Sequence, residues 1–233
     1  MYKLGNYNID LTDEIGHGVF GIVYRGSHTT RQLDIAVKKC ELKDGKISRD
    51  KQGELAMEEI KHLQKLKHPH IVTLYDYFFK ANSFWMIMEY CDAGNLDTYV
   101  CSQNPNLCKK TDLMYQCASA VSYIHSWVNP TVHRDIKPTN ILMKQAGEHT
   151  IIKIADLGLM KSVELTESVM TLMFSSHCGS PNYQAPEFFY KYEKQKFGKS
   201  VDVFSLGLVY LVMILHKRGD KALNPLTGMY GFY

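Results

Sequence analysis

The hydrophobic pattern changes its period once along the chain, near residue 92, and this constrains the fold more than any other feature. Before that point most ordered-looking segments repeat every two residues. GIVYRG and LDIAVKKCEL alternate, and WMIMEY is a short, nearly continuous apolar run; all three predict strands. One helical pattern interrupts them, GELAMEEIKHLQKLKH, with Leu55, Glu59, Leu63 and Leu66 at helical spacing and Pro69 to stop it. After Gly94 the helical period takes over. DLMYQCASAVSYIHSWV predicts a helix with Thr111 as its N-cap. NILMK and TIIKIAD, joined by QAGEH, predict a hairpin. Residues 157–184 are rich in Ser, Thr and Gly with little periodicity, and long loops of this kind tend to be functional or disordered. VFSLGLVYLVMIL, Val203–Leu215, is too short to span a bilayer and contains Ser205 and Gly207. It predicts a buried core helix. The expectation is an α+β chain, strand-rich to residue 92 and helix-rich from 93.

With 45% hydrophobic residues among 233, the chain can bury one large domain or two modest lobes. A formal net charge of only +3 demands no polyanionic partner, so nucleic-acid binding is not expected. The six cysteines form no C-x-x-C pair, which argues against a zinc or redox motif and for reduced thiols in the cytoplasm, the nucleus being the other compartment. The N-terminus has neither an apolar segment nor a glycine at position 2, so no membrane partner is expected. The oligomeric state is not legible.

Four stretches carry chemistry. GHGVFGIV sets Gly16, Gly18 and Gly21 in G-x-G-x-x-G-x-V. Glycines let backbone N–H groups approach phosphate oxygens with no side chain in the way; the plainer reading is a glycine-rich hairpin turn. The motif lies between strands rather than between strand and helix, which argues against a dinucleotide fold. IAVKK puts Lys38 on an alternating strand and the long helix carries Glu59; singly each reads as a solvated charge, together they offer an ion pair. VHRDIKPTNIL brings Asp135, Lys137 and Asn140 within six residues, stiffened by Pro138. Asp135 suits acceptance of a hydroxyl proton, Lys137 neutralisation of a phosphoryl group, and Asn140 a metal through its amide oxygen. The hairpin would return Asp156, in IADLGL, beside Asn140, and two oxygen donors suit Mg²⁺ when phosphates and water complete its shell. His68 and His70 in HPHIV look like a metal pair, but no further ligand is evident.

Taken in order, the glycine loop, strand lysine, helix glutamate, H-R-D-x-K-P-x-N, D-L-G and Ala185-Pro186-Glu187 resemble the eukaryotic protein kinases over roughly residues 9–215. The resemblance implies a bilobal fold: a small β-rich N-lobe with one long helix at 1–92, and a mainly helical C-lobe at 93–233. The hinge would fall at 89–91, the catalytic loop at 133–140 and the activation segment at 156–187. It implies transfer of the ATP γ-phosphoryl group to serine or threonine of a protein substrate, with ATP and Mg²⁺ bound. Asp135 would accept the hydroxyl proton and Lys137 stabilise the phosphoryl group; Lys38, held by Glu59, would pair with the α- and β-phosphates. Asn140 and Asp156 would hold the metal. Gly16, Gly18 and Gly21 would cover the phosphates. Val23, Ala36 and Leu142 would sandwich the adenine, with Met88 as gatekeeper and the backbone from Glu89 to Cys91 on its edge. Arg134 would dock a phosphate on Ser176, and Ser180 would face Asp135 and Lys137. Lys137, two residues after Asp135, fits the Ser/Thr class.

Two substitutions depart from the pattern: Leu157 for the usual Phe, and Phe204 for Trp in DVFSLG, where Asp202 is still expected to brace the catalytic-loop backbone. The pattern also calls for further helices after Leu215, so the C-lobe is expected to lack its last ones. The competing reading is a silent ATP-binding or scaffolding module.

Overall fold

The computed structural model describes residues 1–18, 21–45, 48–126, 131–157, 161–162, 181–188 and 198–215. They fall into two compact units, residues 1–67 with 72–91, and residues 68–71 with 92–233.

The first unit is built on a six-stranded antiparallel sheet ordered β1-β2-β3-β4-β6-β5. The strands are β1 (Tyr2–Leu4), β2 (Tyr7–Gly18), β3 (Gly21–His28), β4 (Asp34–Glu41), β5 (Leu74–Lys80) and β6 (Ser83–Glu89). Alternation on β4 sorts its side chains between two faces. Ile35 and Val37 join Leu4, Tyr7, Ile9, Trp85 and Ile87 in one apolar core. Ala36 and Lys38 take the other face, opposite Met88 and Met86 of β6. Tyr2 stacks on Trp85 with ring centroids 5.1 Å apart, so β1 covers the end of that core.

Helix α1 (Arg49–Lys65) buries Leu55, Ala56, Glu59, Ile60 and Leu63. It begins four residues before the apolar pattern does. Ser48 caps it, accepting a hydrogen bond from the Lys51 amide at 3.3 Å. Its first turn is set by that cap and not by apolar side chains. The helix ends before Leu66, whose backbone is extended.

The second unit carries α2 (Leu96–Gln103), α3 (Leu107–His125) and α4 (Ser200–Leu215), with strands β7 (Thr131–Val132), β8 (Ile141–Ala146), β9 (His149–Ile154) and β10 (Lys161–Ser162). A reciprocal cap between Asn95 and Thr98 starts α2. Helix α3 starts earlier than the sequence pattern predicts. Its N-cap is Asn106, which accepts from the Lys109 amide at 2.9 Å. Thr111 lies inside the helix, its hydroxyl donating to the Leu107 carbonyl at 2.9 Å. Asn caps at least as well as Thr, and the polar turn between them is helical once Asn106 is in place. Strands β8 and β9 form the expected hairpin, but run closer than the five-residue connection suggests. Only Gly147 and Glu148 lie between them, with Gly147 at φ +62°. Helix α4 buries Val201, Leu206, Leu208, Val209, Val212 and Met213, while Val203, Phe204, Ile214 and Leu215 are exposed. No helix among the described residues is long and apolar enough to cross a membrane.

The short segment His68–Ile71 belongs to the second unit. The His68 Nδ1 accepts from the His70 amide at 3.2 Å, and its Nε2 lies 3.3 Å from the Ser119 hydroxyl. The His68 ring stacks on Tyr123 at 5.0 Å, and the His70 Nδ1 lies 3.4 Å from the Ile152 carbonyl oxygen. Among the described residues no group of three or more His, Cys, Asp or Glu side chains is placed to hold a metal. Burial pushes both imidazoles below the ordinary histidine value. The charges of His70 and Lys153 add to this for His68; for His70, Lys153 adds while the Ile152 carbonyl and Asp112 oppose. The unfolded chain therefore binds protons that the folded one resists, and stability must fall as pH falls below the unfolded value of 6.5. His62 of α1, also lowered by burial, adds to the same trend. Urea midpoints are expected to be lower at about pH 5.5 than at about pH 7.5, with the difference reduced in His68→Gln/His70→Gln.

Candidate active site

The VHRDIKPTNIL stretch is a loop held at both ends by strand. Val132 closes β7 and Ile141 opens β8. Between them the backbone bends sharply, with Arg134 at φ +69°. A left-handed conformation at a branchless but bulky residue costs energy and persists only where the surroundings impose it. Here the constraint is Asp202 on α4, fully buried. Its two carboxylate oxygens accept from the His133 and Arg134 amides, each at 2.8 Å. His125 of α3 reaches the same carboxylate through Nε2 at 2.7 Å. Burial pushes the Arg134 guanidinium downward, and Asp202 opposes that shift.

His133 is buried and bonds on both sides. Its Nδ1 accepts from the Asp135 amide at 3.2 Å, so Nε2 carries the hydrogen toward the Ala155 carbonyl at 3.2 Å. Three polar side chains then gather within the loop. Lys137 Nζ donates to Asp135 Oδ2 at 2.7 Å. Asn140 Nδ2 donates to the same oxygen at 2.7 Å and to the Asp135 carbonyl at 2.9 Å. Both bonds use the Asn140 amino group, which leaves its carbonyl oxygen as the atom suited to a cation. Pro138 starts the one 3-10 turn of the loop, Pro138–Asn140.

The β8–β9 hairpin closes the set. Ile141 pairs with Ile154, and the Ala155 amide donates to the Asn140 carbonyl at 2.9 Å. Asp156, the next residue, thus starts beside Asn140, and it too holds positive φ, at +59°. Leu157 is buried, and Leu142 bridges to Asn95. Ser176 and Ser180 lie outside the described residues.

In the first unit Lys38 Nζ donates to both carboxylate oxygens of Glu59, at 2.7 and 3.0 Å. Only 9% and 4% of the two side chains remain exposed, so this is a buried pair. Register places Gly16 opposite Val23, Val23 opposite Lys38, and Ala36 opposite Met88. Gly18 pairs with Gly21 at the hairpin end. Gly21 has φ +145°, and a Cβ there would sit 2.2 Å from the Lys39 carbonyl oxygen, so only glycine fits. Glu89 is buried and exchanges bonds with Thr73: its amide donates to the Thr73 carbonyl at 2.9 Å, and its carboxylate accepts from the Thr73 amide at 3.3 Å.

Sequence reasoning did not single out His125. Its signal is weak, because a histidine near the end of an amphipathic helix looks like a favourable charge at a helix C-terminus.

The protein kinase domain family matches residues 9–220. The chain is 34% identical over 231 residues to the human serine/threonine-protein kinase ULK1, covering 95% of this chain and 21% of that protein. It is 36% identical over 216 residues to the carbon catabolite-derepressing protein kinase of Saccharomyces cerevisiae, covering 92% and 31%. It is 31% identical over 206 residues to myosin light chain kinase A of Dictyostelium discoideum, covering 88% and 65%. The chain thus spans less than two thirds of the length of each of these relatives. A loop built around Asp135, a buried Lys38–Glu59 pair and a match across most of the sequence have one common source: the chain belongs to the protein kinase family.

Proposed function

We propose that the chain is the catalytic part of a Ser/Thr protein kinase, with an N-lobe at residues 1–92 and a C-lobe from residue 93. It uses ATP and Mg²⁺ to phosphorylate serine or threonine hydroxyls of protein substrates. The observation that carries this reading is the arrangement around Asp135. Lys137 and Asn140 both bond Oδ2, so Oδ1 is the oxygen left to take the hydroxyl proton. The donor set suits the groups it would hold: an amide oxygen and a carboxylate are hard ligands for Mg²⁺, and the hairpin end where Gly18 pairs with Gly21 has no side chain to keep phosphate oxygens from its backbone N–H groups. Bound Mg-ATP supplies the γ-phosphoryl group and the divalent charge that offsets its oxygens.

The protein's own residues do the rest. Asp135 orients the hydroxyl and accepts its proton. Lys137, already beside Asp135, lends positive charge at the point of transfer. Asn140 and Asp156 are the metal ligands. Lys38, aimed by Glu59, takes the α- and β-phosphates; Gly16, Gly18 and Gly21 cover them with backbone N–H groups. Val23, Ala36, Met88 and Leu142 receive the adenine, and the backbone of Glu89 and Cys91 bonds its edge. Arg134 is the residue that would dock a phosphate carried by Ser176, which, like Ser180, lies outside the described residues. The cysteine pattern favours cytoplasm or nucleus.

A phosphotransfer assay with Mg-ATP and a peptide library tests this. The wild-type chain is expected to label Ser and Thr peptides, and Asp135→Asn to label them at least about a hundredfold more slowly. Labelling confined to tyrosine, or equal rates for the two proteins, overturns the proposal.

A further inference from the structure

Strand β6 ends at Glu89, so Tyr90 and Cys91 lie beyond its ladder at the end of the first unit. Glu89 is fixed by its exchange with Thr73. Tyr90 is fixed differently. The Arg25 guanidinium lies over its ring, 4.9 Å from the centroid. The register explains how a β3 side chain reaches that far. Arg25 stands opposite Ala36, and Ala36 opposite Met88, two residues before Tyr90. Opposite residues share a face, and the single methyl of Ala36 leaves the path across β4 open. Asp34, the diagonal neighbour of Arg25 on β4, accepts from its Nη2 at 3.1 Å and aims it. Arginine suits the task because its planar cation stacks on an aromatic face while its edge bonds a carboxylate.

Val23, Ala36, Lys38 and Met88 lie on this same face of the sheet. We infer that Arg25, aimed by Asp34 and stacked on Tyr90, is a positioning residue that sets the direction of the Glu89–Cys91 peptide groups and so tunes nucleotide affinity. The inference rests on the proposed function, in which the backbone on either side of Tyr90 bonds the adenine edge. Arg25 itself touches no nucleotide in this reading. It narrows the conformations open to the chain past the last ladder pair, Ile35 with Glu89, and the ordering that binding requires is partly done beforehand.

The test is a cycle on the full chain. ATP KM and kcat are measured with a Ser peptide, and the Kd of a fluorescent ATP analogue by direct titration, for wild type, Arg25→Ala, Tyr90→Leu, Tyr90→Phe and the Arg25→Ala/Tyr90→Leu pair. Arg25→Ala and Tyr90→Leu are each expected to raise KM and Kd about two- to fivefold with kcat little changed. The double variant is expected to be no worse than the worse single one. Tyr90→Phe, which keeps the ring, should stay closer to wild type than Tyr90→Leu. Unchanged KM in the single variants, effects that multiply in the double, or losses confined to kcat or thermal stability overturn the inference alone. A wild-type chain that saturates with neither ATP nor the analogue overturns both it and the reading beneath it.

Discussion

Lys38→Met is expected to destabilise the first unit by about 3–5 kcal/mol, and Glu59→Leu by a similar amount, while the double variant recovers most of the loss. The pair is almost fully out of water, with both carboxylate oxygens bonded to one ammonium. Removing either partner leaves the other as a buried charge that water cannot reach, and that desolvation is the larger part of the effect. Removing both replaces two costly charges with apolar side chains in a sheet–helix interior that already holds Met86, Ile60 and Leu63. A buried pair is therefore weak support for stability yet expensive to break. Urea titrations of the two single variants and the double one measure the cycle. Equal midpoints for all four proteins, or a double variant weaker than either single, would show that removing one partner does not strand the other's charge. Activity separates from stability here. Under the proposed function the double variant regains its fold and stays inactive, because Lys38 is needed for the phosphates and not for the sheet.

The elements most legible in the sequence are those whose signal is local. Period-two alternation marks β3 and β4 because each has one face against an apolar core, whereas β6 reads as a nearly continuous apolar run because both of its faces are buried. Asp135, Lys137 and Asn140 gather because they lie within six residues of each other and a proline stiffens the turn. Long-range bonds are less legible. The bonds from His133 and Arg134 to Asp202 cross 69 and 68 residues. The resemblance to known kinases pointed to Asp202, and nothing in the pattern pointed to its third partner, His125. The helix starts were missed for a different reason. Ser48 and Asn106 set them through single hydrogen bonds, and apolar periodicity carries no trace of a cap. Arg25 and Tyr90 stand 65 residues apart in number, and only the strand register, with Ala36 between them, makes them neighbours.

Asp202→Ala is expected to cost the second unit about 3–5 kcal/mol and to free the loop that carries Asp135. The carboxylate is fully buried and accepts from two backbone amides and one imidazole. Each buried donor that loses its acceptor contributes about 1–3 kcal/mol of desolvation with no return. Strain adds a consequence for function. Arg134 sits at φ +69°, and the bond to its amide is one of the few things opposing relaxation toward an ordinary backbone. With the bond gone, the peptide before Asp135 turns, and the carboxylate no longer meets Lys137 and Asn140 together. Asp202→Asn is expected to fall between wild type and alanine, since it keeps one acceptor oxygen but aims an amino group at a donor. His125→Gln removes one of three bonds and should be the mildest. Amide hydrogen exchange at residues 133–135 should quicken in the same order in which urea midpoints fall. Slow exchange and a wild-type midpoint in Asp202→Ala would mean that the loop holds its shape by packing, and that this carboxylate is not what keeps Asp135 in place.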